Sequence, residues 1–249
     1  LRDPAPLFET NVESLRRVLD VAADADLHRF VFCSTIGTIA LGEGGPATED
    51  MPFNWHGKGG PYIESRRQAE ALVQRYANER GLPAVVMCVS NPYGPRDWQP
   101  SQGLMVKMAA LGKIPAYFNG VSTEVVGVED VADAFLLAGE CGRIGERYII
   151  SETYMSQREM FETAALAVGA RPPRLGVPLA VLKAGGYVAS LLSTVLRRDL
   201  PLNATGVRLL HTTSPADHGK ATQELGWTPR PTAESIRRAA QWYVEQAKR

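Results

Sequence analysis

Short apolar runs alternate with longer stretches of helical spacing along this chain, and no other feature constrains its fold as tightly. Phe30-Val31-Phe32-Cys33-Ser34 and Ala84 to Ser90 read as strands buried on both faces, and 124–128 and 148–151 as two more. Between them the apolar residues step by three and four. Phe8, Val12, Leu15, Leu19 and Ala22 predict a helix over 7–24, and Ala69, Leu72, Val73 and Tyr76 predict one over 62–80. Shorter helices are expected at 104–111 and 131–139. Residues 42–61 are too rich in glycine and proline for a regular element and read as a loop. Alternation of this kind predicts an α/β fold with a doubly wound parallel sheet covered on both faces. Beyond about residue 155 helices dominate, at 156–168, 178–197, 203–210, 217–225 and 232–247. The expected division is therefore a sheet domain over 1–154 and a smaller, mainly helical lobe over 155–249.

Composition narrows the partners. Across 249 residues, 27 Lys and Arg balance 27 Asp and Glu, and the Arg pairs at 66/67, 197/198 and 237/238 are scattered. No basic footprint for nucleic acid results, and a small-molecule partner is expected. Cys33, Cys88 and Cys141 form an odd set without C-x-x-C, which reads as reduced, buried thiols rather than a disulfide framework. His28, His56, His211 and His218 lack ligand spacing, and no G-x-S-x-G occurs, so neither a metal site nor that type of hydrolase is expected. The most apolar stretch, Leu175 to Leu196, is broken by Lys183 and Gly185-Gly186, and the uninterrupted remainder is too short to span a bilayer. With no signal peptide visible in the first ten residues, a cytoplasmic setting is expected.

In doubly wound sheets ligands bind beyond the carboxyl ends of the strands, which directs attention to the residues after Ser34, Ser90 and Val128. Ser34-Thr35 ends the first strand. Tyr62 opens a long helix with Arg66 four residues on, one turn along the same face. A cation beside a phenol favours the phenolate, so the pair suits proton exchange with an alcohol or carbonyl, and Thr35 can hydrogen-bond the same oxygen. A Tyr and an Arg at this spacing are also ordinary helix-surface residues, so the pair needs further support.

That support is a set of motifs in order. Residues 11–19 resemble N-V-x-G-T-x-x-V-L, 29–35 resemble R-F-V-Y-x-S-S, and 62–70 resemble Y-x-x-S-K-x-x-A-E. Asn91-Pro92-Tyr93-Gly94-Pro95-Arg96 resembles N-V-Y-G-P-R, residues 128–132 resemble V-x-D-V-A, and residues 225–229 resemble L-G-W-x-P. All six belong to the extended short-chain dehydrogenases/reductases of the NAD-dependent epimerase/dehydratase group. The resemblance covers essentially the whole chain. It implies a Rossmann-type enzyme using NAD or NADP, with Tyr62 as acid/base, Thr35 holding the reacting oxygen, and Ser34 as the neighbouring possibility. By the same resemblance Tyr62, Arg66, Ser34 and Asn91 lie at the cofactor, and the long helices 7–24 and 62–80 form a homodimer. Asp130 is expected to cap the helix that follows it.

Two departures stand out. The family has lysine where this chain has Arg66, and arginine is bulkier and effectively never deprotonates. In addition, no strand carrying the family's G-x-x-G-x-x-G turn precedes the helix near residue 7, and glycines 42, 44 and 45 do not replace it. The expectation is either a piece of a longer enzyme or a truncated member. Where sugar-nucleotide members carry an R-D, this chain has Thr123-Glu124, and in place of R-x-G-D it has 203–208, so a diphosphate clamp is not evident. Together with the apolar stretch 178–196, this resembles the dihydroflavonol-reductase and 3β-hydroxysteroid-dehydrogenase branch and implies oxidoreduction of an apolar secondary alcohol or ketone. The rival readings are a sugar-nucleotide epimerase/dehydratase and a non-catalytic dinucleotide-binding or scaffold relative.

Overall fold

A computed structural model of the chain describes residues 3–196 and 204–248. The N-terminal helix is interrupted: α1 (Ala5–Phe8) and α2 (Ser14–Ala23) are joined by a π-helical turn, Glu9–Glu13. β1 (Phe30–Thr35) ends in a single 3-10 turn, Ile36–Thr38, and a long loop leads to α3 (Gly60–Arg80). β2 (Ala84–Val89) runs almost directly into β3 (Asn91–Tyr93), followed by α4 (Gly103–Ala110), β4 (Ala116–Phe118) and β5 (Ser122–Gly127). Then come α5 (Val128–Cys141), β6 (Arg147–Ile150), β7 (Thr153–Ser156) and α6 (Gln157–Leu166). β8 (Leu175–Val177), α7 (Leu179–Leu196), α8 (Ala204–His211), α9 (Gly219–Leu225) and α10 (Thr232–Ala247) complete the described elements.

These elements form two compact units that share the chain in alternation. The first holds Leu1–Ser90, Ala132–Ile150 and Ala216–Thr228; the second holds Asn91–Val131, Ser151–Pro215 and Pro229–Arg249.

In the first unit β1, β2 and β6 form a parallel sheet in that order, with Phe30 opposite Ala84 and Val86 opposite Arg147. Every residue of β2 is buried, as its unbroken apolar run predicts. Leu19, Leu72, Val73, Leu82, Val86 and Ile149 make the core with α2 and α3. Removing a side chain of this size from water contributes about 1.5–3 kcal/mol. α3 stops where Gly81 turns left-handed (φ 66°), a conformation glycine adopts without steric cost, and the Gly81 N–H donates to the Tyr76 carbonyl.

In the second unit β3 runs parallel and β7 antiparallel to β5, and β4 pairs with β8. α4, α6 and α10 enclose Tyr93, Val106, Val125, Phe161, Ile236 and Tyr243. α6 begins with a reciprocal capping box: the Ser156 hydroxyl accepts from the Glu159 amide while the Glu159 carboxylate accepts from the Ser156 amide. The Ser156 hydroxyl, which also donates to the Glu159 carboxylate at 2.7 Å, and then the Ser156 amide hold the Glu159 carboxyl below its ordinary range.

Three sequence expectations are corrected. β1 is not buried on both faces. It lies at one end of its three-stranded sheet, burying Phe32 and Ser34 while Cys33, on the opposite face, is exposed. Of the three thiols only Cys88 is buried, because β2 is the central strand of that sheet while Cys141 sits at the exposed end of α5; all three are free. Asp130 does not precede its helix. α5 begins at Val128, and Asp130 lies in its first turn, where its carboxylate accepts from the Arg230 amide at 3.1 Å and Nε at 2.7 Å.

Candidate active site

The first turns of α3 are fastened to the carboxyl end of β1 by side chains spaced along one helix face. Ile63, buried, packs against the turn after β1 so closely that a Cβ on Gly37 would lie 2.4 Å from its Cδ1. One turn on, the Arg66 guanidinium donates to the Cys33 carbonyl and sits 5.5 Å from the Phe32 ring centroid. A further turn on, the Glu70 carboxylate accepts from the Ser34 hydroxyl at 2.5 Å. Residues 63, 66 and 70 share a face because they are three and four apart.

Ser34 and Thr35, adjacent in β1, therefore diverge. Ser34 is 4% exposed and faces Glu70 and Thr38. Thr35 is half-buried, and its hydroxyl accepts from the Gly37 amide at 3.3 Å, which leaves its own proton available. Tyr62, in the first turn of α3, is 44% exposed. Its backbone is held from behind: the Ser65 hydroxyl donates to the Tyr62 carbonyl at 2.8 Å and accepts from the Asn11 amide at 2.9 Å. Asn11 belongs to the π-helical turn, a distortion that occurs frequently at functional sites.

Behind Ser34 lies a charged cluster that the motifs hint at only through their final glutamate. Glu70 pairs with Arg147 of β6 at 2.6 Å, and their side chains are 9% and 26% exposed. Arg147 also donates to the Thr38 carbonyl at 3.2 Å and the Glu49 carbonyl at 3.4 Å. The Glu49 carboxylate accepts from the Ile149 amide at 2.8 Å, tying the long loop to β6. Burial raises the Glu49 carboxyl above its ordinary value. Burial, reinforced by the Glu70 charge, pushes the Cys88 thiol up to about 12, so this cysteine is packing and not a nucleophile.

Asn91 lies in the second unit, where its amide donates to the Thr123 hydroxyl at 2.7 Å and the Glu124 carbonyl at 2.9 Å. Asn91 thus fastens β3 to β5. Glu124 is buried and accepts from Ser151. Among the described residues no group of three or more His, Cys, Asp or Glu side chains could hold a metal ion.

A nicotinamide dinucleotide can be tested against these residues. Among the described residues Arg66 Nε is buried with no hydrogen-bond partner, one helical turn along α3 from the exposed Tyr62, which fits the hydroxyl-bearing nicotinamide-ribose end of such a molecule. G-x-x-G-x-x-G spacing does occur once, at Gly139, Gly142 and Gly145, but it runs from a helix into a strand instead of from a strand into a helix. Its amides are already used, Gly142 donating to the Ala138 carbonyl and Gly145 to that of Ala84. The turn therefore does not fit a pyrophosphate.

A model described as the NAD dependent epimerase/dehydratase family matches residues 1–151. The sterol demethylase protein B of Methylococcus capsulatus is 26% identical over 98% of this chain and 75% of its own length. A dTDP-glucose 4,6-dehydratase of Haemophilus influenzae is 30% identical over 96% of this chain and 70% of its own length. The crystal structure of gox2253 superposes with a TM-score of 0.84 at 28% identity, covering all of this chain and 76% of the other.

Proposed function

The chain belongs to the NAD-dependent epimerase/dehydratase family, and on that premise we propose that it interconverts an apolar secondary alcohol and its ketone. NAD or NADP, when bound, supplies the hydride acceptor or donor. This chain's residues handle the proton and the oxygen. In the oxidative direction the Tyr62 phenolate takes the hydroxyl proton as the carbonyl forms; in the reductive direction Tyr62 returns it. The Thr35 hydroxyl donates to the same oxygen and holds it within reach. Arg66 stands where the family has lysine, so its fixed charge serves Tyr62 and its Nε–H serves a ribose hydroxyl. The observation that carries this reading is the fastening of α3 to β1, which turns Ser34 inward to Glu70 and leaves Thr35 and the exposed Tyr62 for a ligand.

The preference for an apolar substrate rests on Thr123 and Glu124. Where sugar-nucleotide members carry an arginine for a diphosphate, this chain has a hydroxyl bonded to Asn91 and a buried carboxylate bonded to Ser151. The arginine charge that would receive a diphosphate is thus missing from this place. We assign the substrate-covering role to residues 155–249, where apolar α7 lies. The similarity to a dTDP-glucose dehydratase favours the sugar-nucleotide alternative, and a substrate panel separates the two. With NADH and NADPH, ketosteroids and dihydroflavonols should be reduced and dTDP- and UDP-sugars left unchanged; turnover of sugar nucleotides alone would overturn the preference. Tyr62→Phe should abolish turnover with an unchanged circular dichroism spectrum, and surviving activity would remove Tyr62 from its role. If Arg66→Lys left the rate and pH profile unchanged, Arg66 would have no specific part.

A further inference from the structure

α7 presents to solvent the wrong kind of surface for a helix bathed in water. Leu182 faces inward against Val121 and Val207, and Gly186 shares that buried side. The opposite side carries Ala180, Val181, Ala184, Tyr187 and Val188, all exposed, with Val181 at 57%, Tyr187 at 66% and Val188 at 59%. A surface helix ordinarily places charged and polar residues there. Just before α7, Leu175 of β8 is 63% exposed. Clustered exposure of this kind marks an interaction surface, whereas single exposed apolar residues do not.

Charge indicates the partner. The chain has no net charge, yet from Thr163 to Arg198 it contains no acidic residue and five basic ones: Arg171, Arg174, Lys183, Arg197 and Arg198. Arg171, Arg174 and Lys183 are exposed and make no ion pair among the described residues. Lys183 flanks the apolar side of α7, and Arg174 adjoins Leu175. No helix is long and apolar enough among the described residues to cross a membrane, which leaves a helix lying in the plane of an interface.

We propose that residues 171–188 dock on an anionic phospholipid surface. Val181, Ala184 and Val188 enter the boundary between headgroups and acyl chains, Tyr187 sits at headgroup level, and Arg171, Arg174 and Lys183 meet the lipid phosphates. Apolar contact and cationic attraction are each weak alone and hold a protein to a bilayer when combined. The opposite charges of the two surfaces favour this occupant over a second copy of the chain, since two copies would bring their unpaired cations together.

Co-sedimentation with vesicles tests the proposal without any need for catalysis, so its outcome is separate from that of the proposed reaction. The chain should pellet with phosphatidylcholine vesicles containing phosphatidylglycerol, and less with phosphatidylcholine alone or at high salt, where screening shortens the reach of its cations. Val181→Asp/Val188→Asp should abolish binding, and Lys183→Glu should weaken it roughly fivefold or more. All three positions are exposed, so the thermal transition should stay in place. Failure of the folded chain to pellet with anionic vesicles would overturn the proposal, as would binding unchanged in both variants. Self-association that the aspartates abolish, without lipid binding, would assign the surface to a second copy.

Discussion

Glu70→Gln removes the charge opposite Arg147 while preserving side-chain size, and its cost can be worked from the cluster's geometry. The wild-type carboxylate receives the Arg147 guanidinium at 2.6 Å through one oxygen and the Ser34 hydroxyl at 2.5 Å through the other. A glutamine offers no charge to Arg147, and if its single oxygen keeps the Ser34 bond its N–H turns toward the guanidinium. Breaking a buried ion pair from one side costs about 3–5 kcal/mol, because the remaining charge is left uncompensated. Arg147 is 26% exposed and recovers some hydration, which places the expectation at the lower end, about 3 kcal/mol. In a chain of this size that lowers the melting temperature by roughly 6–12 °C. Urea denaturation followed by circular dichroism should show the midpoint falling at constant slope. Arg147→Met should also destabilise, and the double variant should lose at least about 1.5 kcal/mol less than the sum of the singles. A Glu70→Gln variant within about 0.5 kcal/mol of wild type, or additive singles, would show that the pair is a solvated contact and not the clasp behind Ser34.

Gly59→Ala would place a Cβ 2.6 Å from the Cβ of Ile63, an atom that cannot swing away, so it should cost about 1–3 kcal/mol by displacing the first turn of α3; unaltered thermal stability would refute the close fit. Burial raises the Glu49 carboxyl, so the folded chain keeps that proton to higher pH than the unfolded one, and the stability this gives at low pH is lost as pH rises through the folded value. Glu49→Gln keeps the acceptor for Ile149 and removes the titration. It should gain on wild type in stability as pH rises above the ordinary carboxylate range, and a difference that does not vary with pH would contradict the sign.

How much of this was legible follows from what each signal requires. β1, β2, β5 and β6 are apolar runs, and the long helices repeat at three and four, so both are visible within a short window. β4, β7 and β8 have three or four residues each, and β3 contains Pro92; such segments are strands only because a partner pairs with them. The π-helical turn left no trace because its apolar spacing matches an α-helix. The motifs single out Tyr62, Arg66 and Thr35 as candidates, whereas the contacts that fix them carry no motif. Glu70 and Arg147 lie far apart in sequence, and Asn11 carries no special pattern until it meets Ser65. The motif favours Thr35 with Ser34 as the neighbouring possibility, and strand alternation separates the two in space.

The alternation of the two units along the chain bears on how the protein is made. β1 and β2 leave the ribosome before β6, so β2 stays unpaired on one edge until 147–150 emerge, and the first unit lacks its last segment until Thr228. At about 5–20 residues per second the interval from Ser90 to Ile150 lasts roughly 3–12 s. During that time the all-apolar β2 is a nascent-chain hazard, open to chaperones and to neighbouring polysomes alike. Synonymous codon choice over this interval, which leaves every side chain unchanged, is therefore a lever on the yield of folded protein.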